Sequence, residues 1–202
     1  MTSKSDDMAR LFDATGGRKY VCASEWRRFI AAAERADDRT RAFALLLAYS
    51  GCRISEALAL TGGQLDAETN RVMLQTLKRR RQVFRAIPVP VELMATLARL
   101  ARGKACGKRL WPWCRQTAWR RVKRLMMEAG IRGAQATAKG LRHGFGVANA
   151  EANVPPALTQ RWMGHARLET TAIYQQVVGR EERSFARRVW RRRSVSEDAP
   201  GE

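Results

Sequence analysis

Histidine is almost missing from this chain: His143 and His165 are its two imidazoles in 202 residues, and tyrosine occurs three times. The two histidines stand too far apart for zinc-finger spacing, and Cys22, Cys52, Cys106 and Cys114 form no CxxC pair. That pattern speaks against a metal site and for free thiols in a reducing compartment. No run of about 18 apolar residues is present to span a membrane, and the polar start MTSKSDDMAR lacks the apolar stretch of a signal peptide. A membrane is therefore excluded as partner, and the cytoplasm is the expected location. Acidic side chains are scarce as well: 19 against 38 lysines and arginines, a formal charge of +19 spread over several segments. A field of that sign and extent selects a polyanion.

What is present reads as one folded domain. The length suits a single core, 45% of the residues are hydrophobic, and neither an internal repeat nor an interdomain linker interrupts the chain. Apolar periodicity predicts a helix in SEWRRFIAAAERA, with Ser24 as its cap and Trp26, Phe29, Ile30 and Ala33 on one face. A second helix runs through RTRAFALLLAYS behind Asp37 or Asp38, Gly51 punctuates, and a shorter helix follows in RISEALAL. RVMLQTL at 71–77 and VFRAIPVP at 83–90 alternate and favour strands, with KRRRQ as the tip of a hairpin between them. Helices return in VELMATLARLA, in QTAWRRVKRLMMEAG with Gly130 as its stop, and in KGLRHGFGVANAEA, PALTQRWMG, LETTAIYQQV and EERSFARRVWRRR. The expected fold class is mainly α with a small antiparallel β-sheet.

Four stretches carry candidate chemistry. In GCRISE, Arg53 and Glu56 are i and i+3 on a helix, so the carboxylate can orient the guanidinium; RxxE by itself equally describes a surface ion pair. The run Lys78, Arg79, Arg80, Arg81 suits a hairpin tip pressed into a nucleic-acid groove, or a solvated charge run. In KGLRHGFG, Lys139 and Arg142 share a helical face, an arrangement that favours an anion between them. Gly140, Gly144 and Gly146 lie in the same segment, where each costs about 1 kcal/mol against alanine and implies a close backbone approach. A tight helix crossing with incidental cations would also account for them. The fourth stretch is RWMGHARLETTAIY, which sets Tyr174 nine residues after His165. Singly, either residue fits a structural role.

In order and spacing, GxRxxE at 51–56, a hairpin lysine, xxLRH at 139–143, GH at 164–165 and the tyrosine nine residues on resemble the tyrosine recombinase (phage integrase) family. The resemblance covers roughly residues 20–178. It implies a tyrosine recombinase catalytic-domain fold and a site-specific recombinase that cleaves and rejoins DNA through a 3′-phosphotyrosyl bond, with no metal and no cofactor. Carried onto this chain, Tyr174 is the nucleophile, Arg53 and Arg142 clamp the phosphate, Lys78 protonates the departing 5′ oxygen, and His165 hydrogen-bonds the phosphate. Glu56 is structural support. The chemistry stands without the family name. A phenol of pKa about 10 is a weak nucleophile, and surrounding cations are expected to lower it and to neutralise charge growing on the phosphate. The implied partners are double-stranded DNA and further copies of the chain, forming a tetramer on DNA, with accessory DNA-binding proteins.

Two departures stand out. Many relatives carry histidine where Lys139 stands, so the group that receives the tyrosine proton is open; the expectation is that Lys139 acts as a third cation and that a phosphate oxygen or water takes the proton. Second, 52 residues precede Arg53, fewer than the separate N-terminal clamp domain of many relatives would need. Residues 20–178 are then a catalytic domain on its own between a polar lead at 1–19, a basic helix at 179–194 and a disordered tail at 195–202. Arg120, Arg121, Lys123 and Arg124 on one predicted helix are expected to add grip on DNA. The alternatives are a DNA-binding regulator with the same fold but little catalysis, and a relaxing enzyme of the type IB topoisomerase kind.

Overall fold

The computed structural model describes residues 11–76 and 83–174, together with Arg187, Val189 and Trp190. The elements run α1 (Ala23–Glu34), α2 (Asp38–Ser50), α3 (Ile54–Ala59), a 3-10 turn at Gly62–Gln64, β1 (Leu65–Asp66), β2 (Arg71–Gln75), β3 (Phe84–Pro88), α4 (Val91–Ala101), α5 (Arg115–Glu128), α6 (Ala138–Glu151), α7 (Pro156–Met163) and α8 (Glu169–Ala172). The expected mainly helical fold with a small antiparallel sheet is what forms. The hairpin tip with Lys78, Arg79, Arg80 and Arg81, the basic helix at 179–194 apart from those three residues, and the tail at 195–202 lie outside the described residues.

Helix α2 is the centre of the core. Its residues Ala42, Phe43, Ala44, Leu45, Leu46 and Leu47 are buried in succession, so beyond its exposed first turn it has no solvent face and packs against α1, α4 and α6. Of the two aspartates available, Asp37 caps it and accepts from the Thr40 amide at 3.1 Å. Phe43 meets Trp111 edge to face at 5.1 Å. The indole of Trp111 is fully buried and donates to the Arg39 carbonyl at 2.8 Å, so its polar atom is not stranded.

Ser24 is not the cap of α1. Cys22 is, and the carboxylate of Glu25 accepts from the Cys22 amide at 3.0 Å. A helix starting at Ser24 would move Glu25 away from Arg18, at 2.8 Å, and Gln135, at 3.0 Å, which its other oxygen bonds. The sheet holds three strands where two were expected. β1, two residues long, is too short to show alternation, and it pairs with β2 through Leu65↔Val72. β2 and β3 are antiparallel with Val72↔Ile87 and Leu74↔Arg85 in register, so Arg85 stands on the same face as three buried aliphatic residues.

The glycines of α6 are explained by the chain itself. A Cβ at Gly140 would land on the Gln135 carbonyl oxygen, and one at Gly144 on the carbonyl oxygen of Val21. The Val21 amide donates to the Gly140 carbonyl at 3.0 Å, which fastens the segment before α1 onto α6. Gly144→Ala is expected to destabilise the fold by about 1–3 kcal/mol despite its better helix propensity, because backbone must move. Urea unfolding measures this, and an unchanged or raised midpoint would show that the segment gives way freely.

Candidate active site

Arg53 is the N-cap of α3, placed there because Gly51 ends α2 in the left-handed conformation, φ 59°. Its Nη1 donates to Glu56 Oε1 at 2.8 Å and its amide to Oε2 at 2.9 Å, so the i,i+3 pair read from GCRISE forms. It is not a surface pair: Glu56 is 1% exposed. A second guanidinium, unforeseen from the sequence, completes it. Arg85 Nη2 donates to Glu56 Oε2 at 2.6 Å, its Nη1 to Thr76 Oγ1 at 2.9 Å and its Nε to the Trp162 carbonyl at 2.8 Å. Burial alone would raise the Glu56 carboxyl, but Arg85 and the Arg53 amide and guanidinium outweigh it and leave it below its ordinary value. The signal for Arg85 was an arginine at an inward position of an alternating strand.

Arg142, on α6, is buried and tied to two carbonyls, Gly51 through Nη1 and Met163 through Nη2, both at 2.7 Å. It therefore joins the end of α2 to the end of α7. Burial, and then the charge of Arg53, bring it down to about 10, which leaves it a cation at neutral pH. α7 stops at Gly164 in the left-handed conformation, and His165 follows, with its amide on the Gln160 carbonyl at 3.1 Å. The His165 ring sets Nδ1 2.8 Å from Thr171 Oγ1 in α8. Burial, then Arg142 and Arg53, push it down to about 3, so it is neutral.

Tyr174 sits in the turn after α8, 2% exposed, stacked on His165 with ring centroids 6.2 Å apart. Its Oη is 3.2 Å from Nδ1 of His143. Gly146 makes this seat: a Cβ there would come within 2.5 Å of Cε2 and Cζ of the tyrosine. The phenol is not lowered as the surrounding cations led one to expect. Burial outweighs Arg142 and Arg53 and pushes it up to about 12. His143 had no role in the sequence reading, although it lies three residues before Gly146 on one helical face.

The structure thus brings Arg53, Glu56, Arg142, His165 and Tyr174 together and adds Arg85, His143 and Thr171. Lys139 lies in the first turn of α6, one turn before His143, on which its charge acts. Of the basic residues on α5, Arg120 and Arg124 are exposed. Arg121 instead donates to Thr40 Oγ1 at 2.6 Å and lies over the Trp113 ring at 4.4 Å, and Lys123 donates to the Ala136 carbonyl at 2.9 Å.

With this geometry in place, comparison with known proteins agrees. The sequence model of the phage integrase family matches residues 19–180. The chain is 30% identical to tyrosine recombinase XerD of Corynebacterium glutamicum, over 77% of this chain and 52% of that protein. It is 24% identical to tyrosine recombinase XerH of Campylobacter jejuni, over 85% of this chain and 56% of that one. The chain spans about half the length of these curated relatives. Among solved structures, a XerH site-specific recombinase bound to palindromic difH substrate in a post-cleavage complex superposes with a TM-score of 0.71 at 20% identity, over 83% of this chain and 52% of that one.

Two outcomes follow from the site's charges. Both imidazoles sit below their unfolded value of 6.5, His143 at about 4 and His165 at about 3. The unfolded chain therefore binds those protons first, and stability is full above pH 6.5 and lost as pH falls toward 4. Each histidine contributes a slope of about 1.4 kcal/mol per pH unit. Urea unfolding between about pH 7 and about pH 5, where carboxylates stay ionised, reads this directly; a flat profile would mean that the imidazoles are not held neutral. Arg85→Met leaves Glu56 buried with one guanidinium and is expected to cost about 3–5 kcal/mol. Adding Glu56→Gln should return part of that loss in thermal unfolding.

Proposed function

The chain belongs to the phage integrase family, and from that premise we propose that residues 20–178 form the catalytic domain of a site-specific tyrosine recombinase acting on double-stranded DNA. The observation that carries the reading is that Tyr174 is stacked on the neutral imidazole of His165 and feels the charges of Arg142 and Arg53, residues brought together from four separate segments of the chain. Arg53 and Arg142 are fixed by a carboxylate and by two carbonyls. Their remaining N–H groups suit two oxygens of a phosphodiester, which planar guanidinium groups bind bidentately. The contact of His165 Nδ1 with Thr171 Oγ1 suits a hydroxyl donating to the ring, which would leave the ring proton on Nε2, the tautomer that donates to a phosphate oxygen.

The reaction is a transesterification. Tyr174 Oη attacks phosphorus, the bond to the 5′ oxygen breaks, and the ammonium of Lys78 supplies the proton that the leaving oxygen takes up. The 3′-phosphotyrosyl bond keeps the energy of the broken ester, so the reverse step rejoins a strand without ATP. Arg53 and Arg142 neutralise the charge that grows on the phosphate oxygens in the transition state. Lys139, Arg120 and Arg124 are exposed and extend the positive surface for DNA, to which the sequence adds the cations Arg79, Arg80 and Arg81. Copies of the chain meet on the DNA, where exchange needs more than one active tyrosine.

Suicide duplexes tiled across the DNA that flanks the gene test this. The wild-type chain is expected to form a covalent adduct, resistant to denaturation, that Tyr174→Phe does not form while it still binds the same DNA. An adduct with the phenylalanine variant would show that another residue is the nucleophile.

A further inference from the structure

We propose that His143 is a catalytic residue whose Nδ1 receives the proton that Tyr174 Oη gives up as it attacks the phosphodiester, a role that rests on the recombinase reading and deepens it. The tyrosine oxygen is 3.2 Å from that nitrogen, within hydrogen-bond reach of the proton to be removed. The seat is built for this contact: Gly146, one turn along α6, leaves the space that the tyrosine ring fills, and its missing Cβ would otherwise meet Cε2 and Cζ at 2.5 Å.

The rest of the imidazole points to the same role. Nε2 is buried and has no hydrogen-bond partner among the described residues. A stranded buried polar atom is unfavourable and calls for an explanation, of which catalysis is one. Here all the polar bonding of the ring goes to Tyr174 Oη. Burial, then Lys139, Arg142 and Lys19, hold His143 down at about 4, so at neutral pH the ring is unprotonated and its Nδ1 lone pair is free in the tautomer with hydrogen on Nε2. The neighbouring alternatives are worse placed. His165 has its Nδ1 on Thr171 and presents a ring face to the tyrosine. Lys139 is one turn earlier, and a lysine ammonium carries donors only.

The step balances. As the bond from Tyr174 Oη to phosphorus forms and the bond from phosphorus to the 5′ oxygen breaks, the phenol proton moves to His143 Nδ1 and Lys78 gives its own proton to the 5′ oxygen. Rejoining runs the transfers in reverse. The phosphate's negative charge, entering beside Lys139, Arg142 and Arg53, raises the affinity of the imidazole for the incoming proton.

The test is single-turnover formation of the covalent adduct on a duplex with sulfur in place of the bridging 5′ oxygen, at the position mapped by suicide trapping. A thiolate leaves without a proton, so the acid step drops out and the base step is read alone. The charged and titratable groups facing His143 are Lys19, Lys139, Arg142, His165 and Tyr174. The wild-type rate is expected to fall on an acid limb whose midpoint lies between about 4, where His143 takes its proton without DNA, and about 6.5, the ordinary imidazole value toward which the bound phosphate raises it. His143→Asn, whose amide reaches the Nδ1 position but accepts no proton, should be slower by at least about a hundredfold and lack the limb while binding DNA normally. Gly146→Ala, which displaces the ring and leaves the imidazole in place, should also be slow. The proposal is overturned if His143→Asn cleaves at a rate comparable with wild type or keeps the acid limb. If that variant does not fold, a wild-type profile with no acid limb, or full activity of Gly146→Ala, overturns it as well. Absence of any wild-type adduct would instead remove the recombinase reading, and this proposal with it.

Discussion

A carboxylate taken out of water persists as an anion only where cations and N–H groups replace its hydration, and Glu56 has been given all of them. One oxygen holds Arg53; the other takes the Arg53 amide and Arg85. Through Arg85 the same anion reaches the Thr76 hydroxyl at the end of β2 and the Trp162 carbonyl near the end of α7. The start of α3, the sheet and the turn that presents His165 are thereby bound to a single buried charge. Arg142 ties the same parts a second time, through the carbonyls of Gly51 and Met163. Guanidinium groups held still by bonds within the protein leave little ordering to be done when an anion binds.

The parts of this arrangement that were legible from the sequence share a property: each is local. Arg53 and Glu56 are three residues apart at the start of a helix, Gly51 and Gly164 mark helix ends, and the glycines of α6 announce a close backbone approach. The parts that were not legible are contacts across the fold. Arg85 is 29 residues from Glu56, and alternation identifies its strand without saying that the inward arginine meets an anion. His143 and Tyr174 are 31 residues apart. The spacing of His165 and Tyr174 drew attention because it follows a pattern, whereas His143, although part of xxLRH, carries nothing local that says which residue it meets. RxxE alone could not separate a surface pair from a buried one, since the difference lies in β3 and α7.

Helix α6 illustrates how stability is exchanged for geometry. Three glycines in fourteen residues weaken a helix by about 1 kcal/mol each against alanine. Two of them let neighbouring backbone lie directly on the helix, and the third accommodates the ring of Tyr174. Between these positions the same helix carries Arg142 and His143 in succession, so one element supplies a buried guanidinium, the hydrogen-bond partner of Tyr174 and the space that its ring occupies. Their relative positions are then set by helix geometry, which is stiffer than any loop.

Proton placement follows from the same concentration of positive charge. Burial disfavours an added proton on either imidazole, and cations disfavour it further, Lys139 and Arg142 at His143 and Arg142 and Arg53 at His165, so both histidines stay neutral far below their ordinary value. The phenol meets the opposite balance: the cations favour its anion, but desolvation of that anion costs more, so it keeps its hydrogen. The pocket at neutral pH thus contains one transferable proton on Tyr174 and one bare nitrogen within reach of it. In the proposed reaction an entering phosphodiester changes both balances, since its charge offsets the Lys139 and Arg142 charges that disfavour a proton on His143 while the forming bond to phosphorus removes the need for a solvated phenolate. On that proposal the charge of the substrate is what releases the proton, and Tyr174 keeps its hydrogen until a phosphodiester is bound.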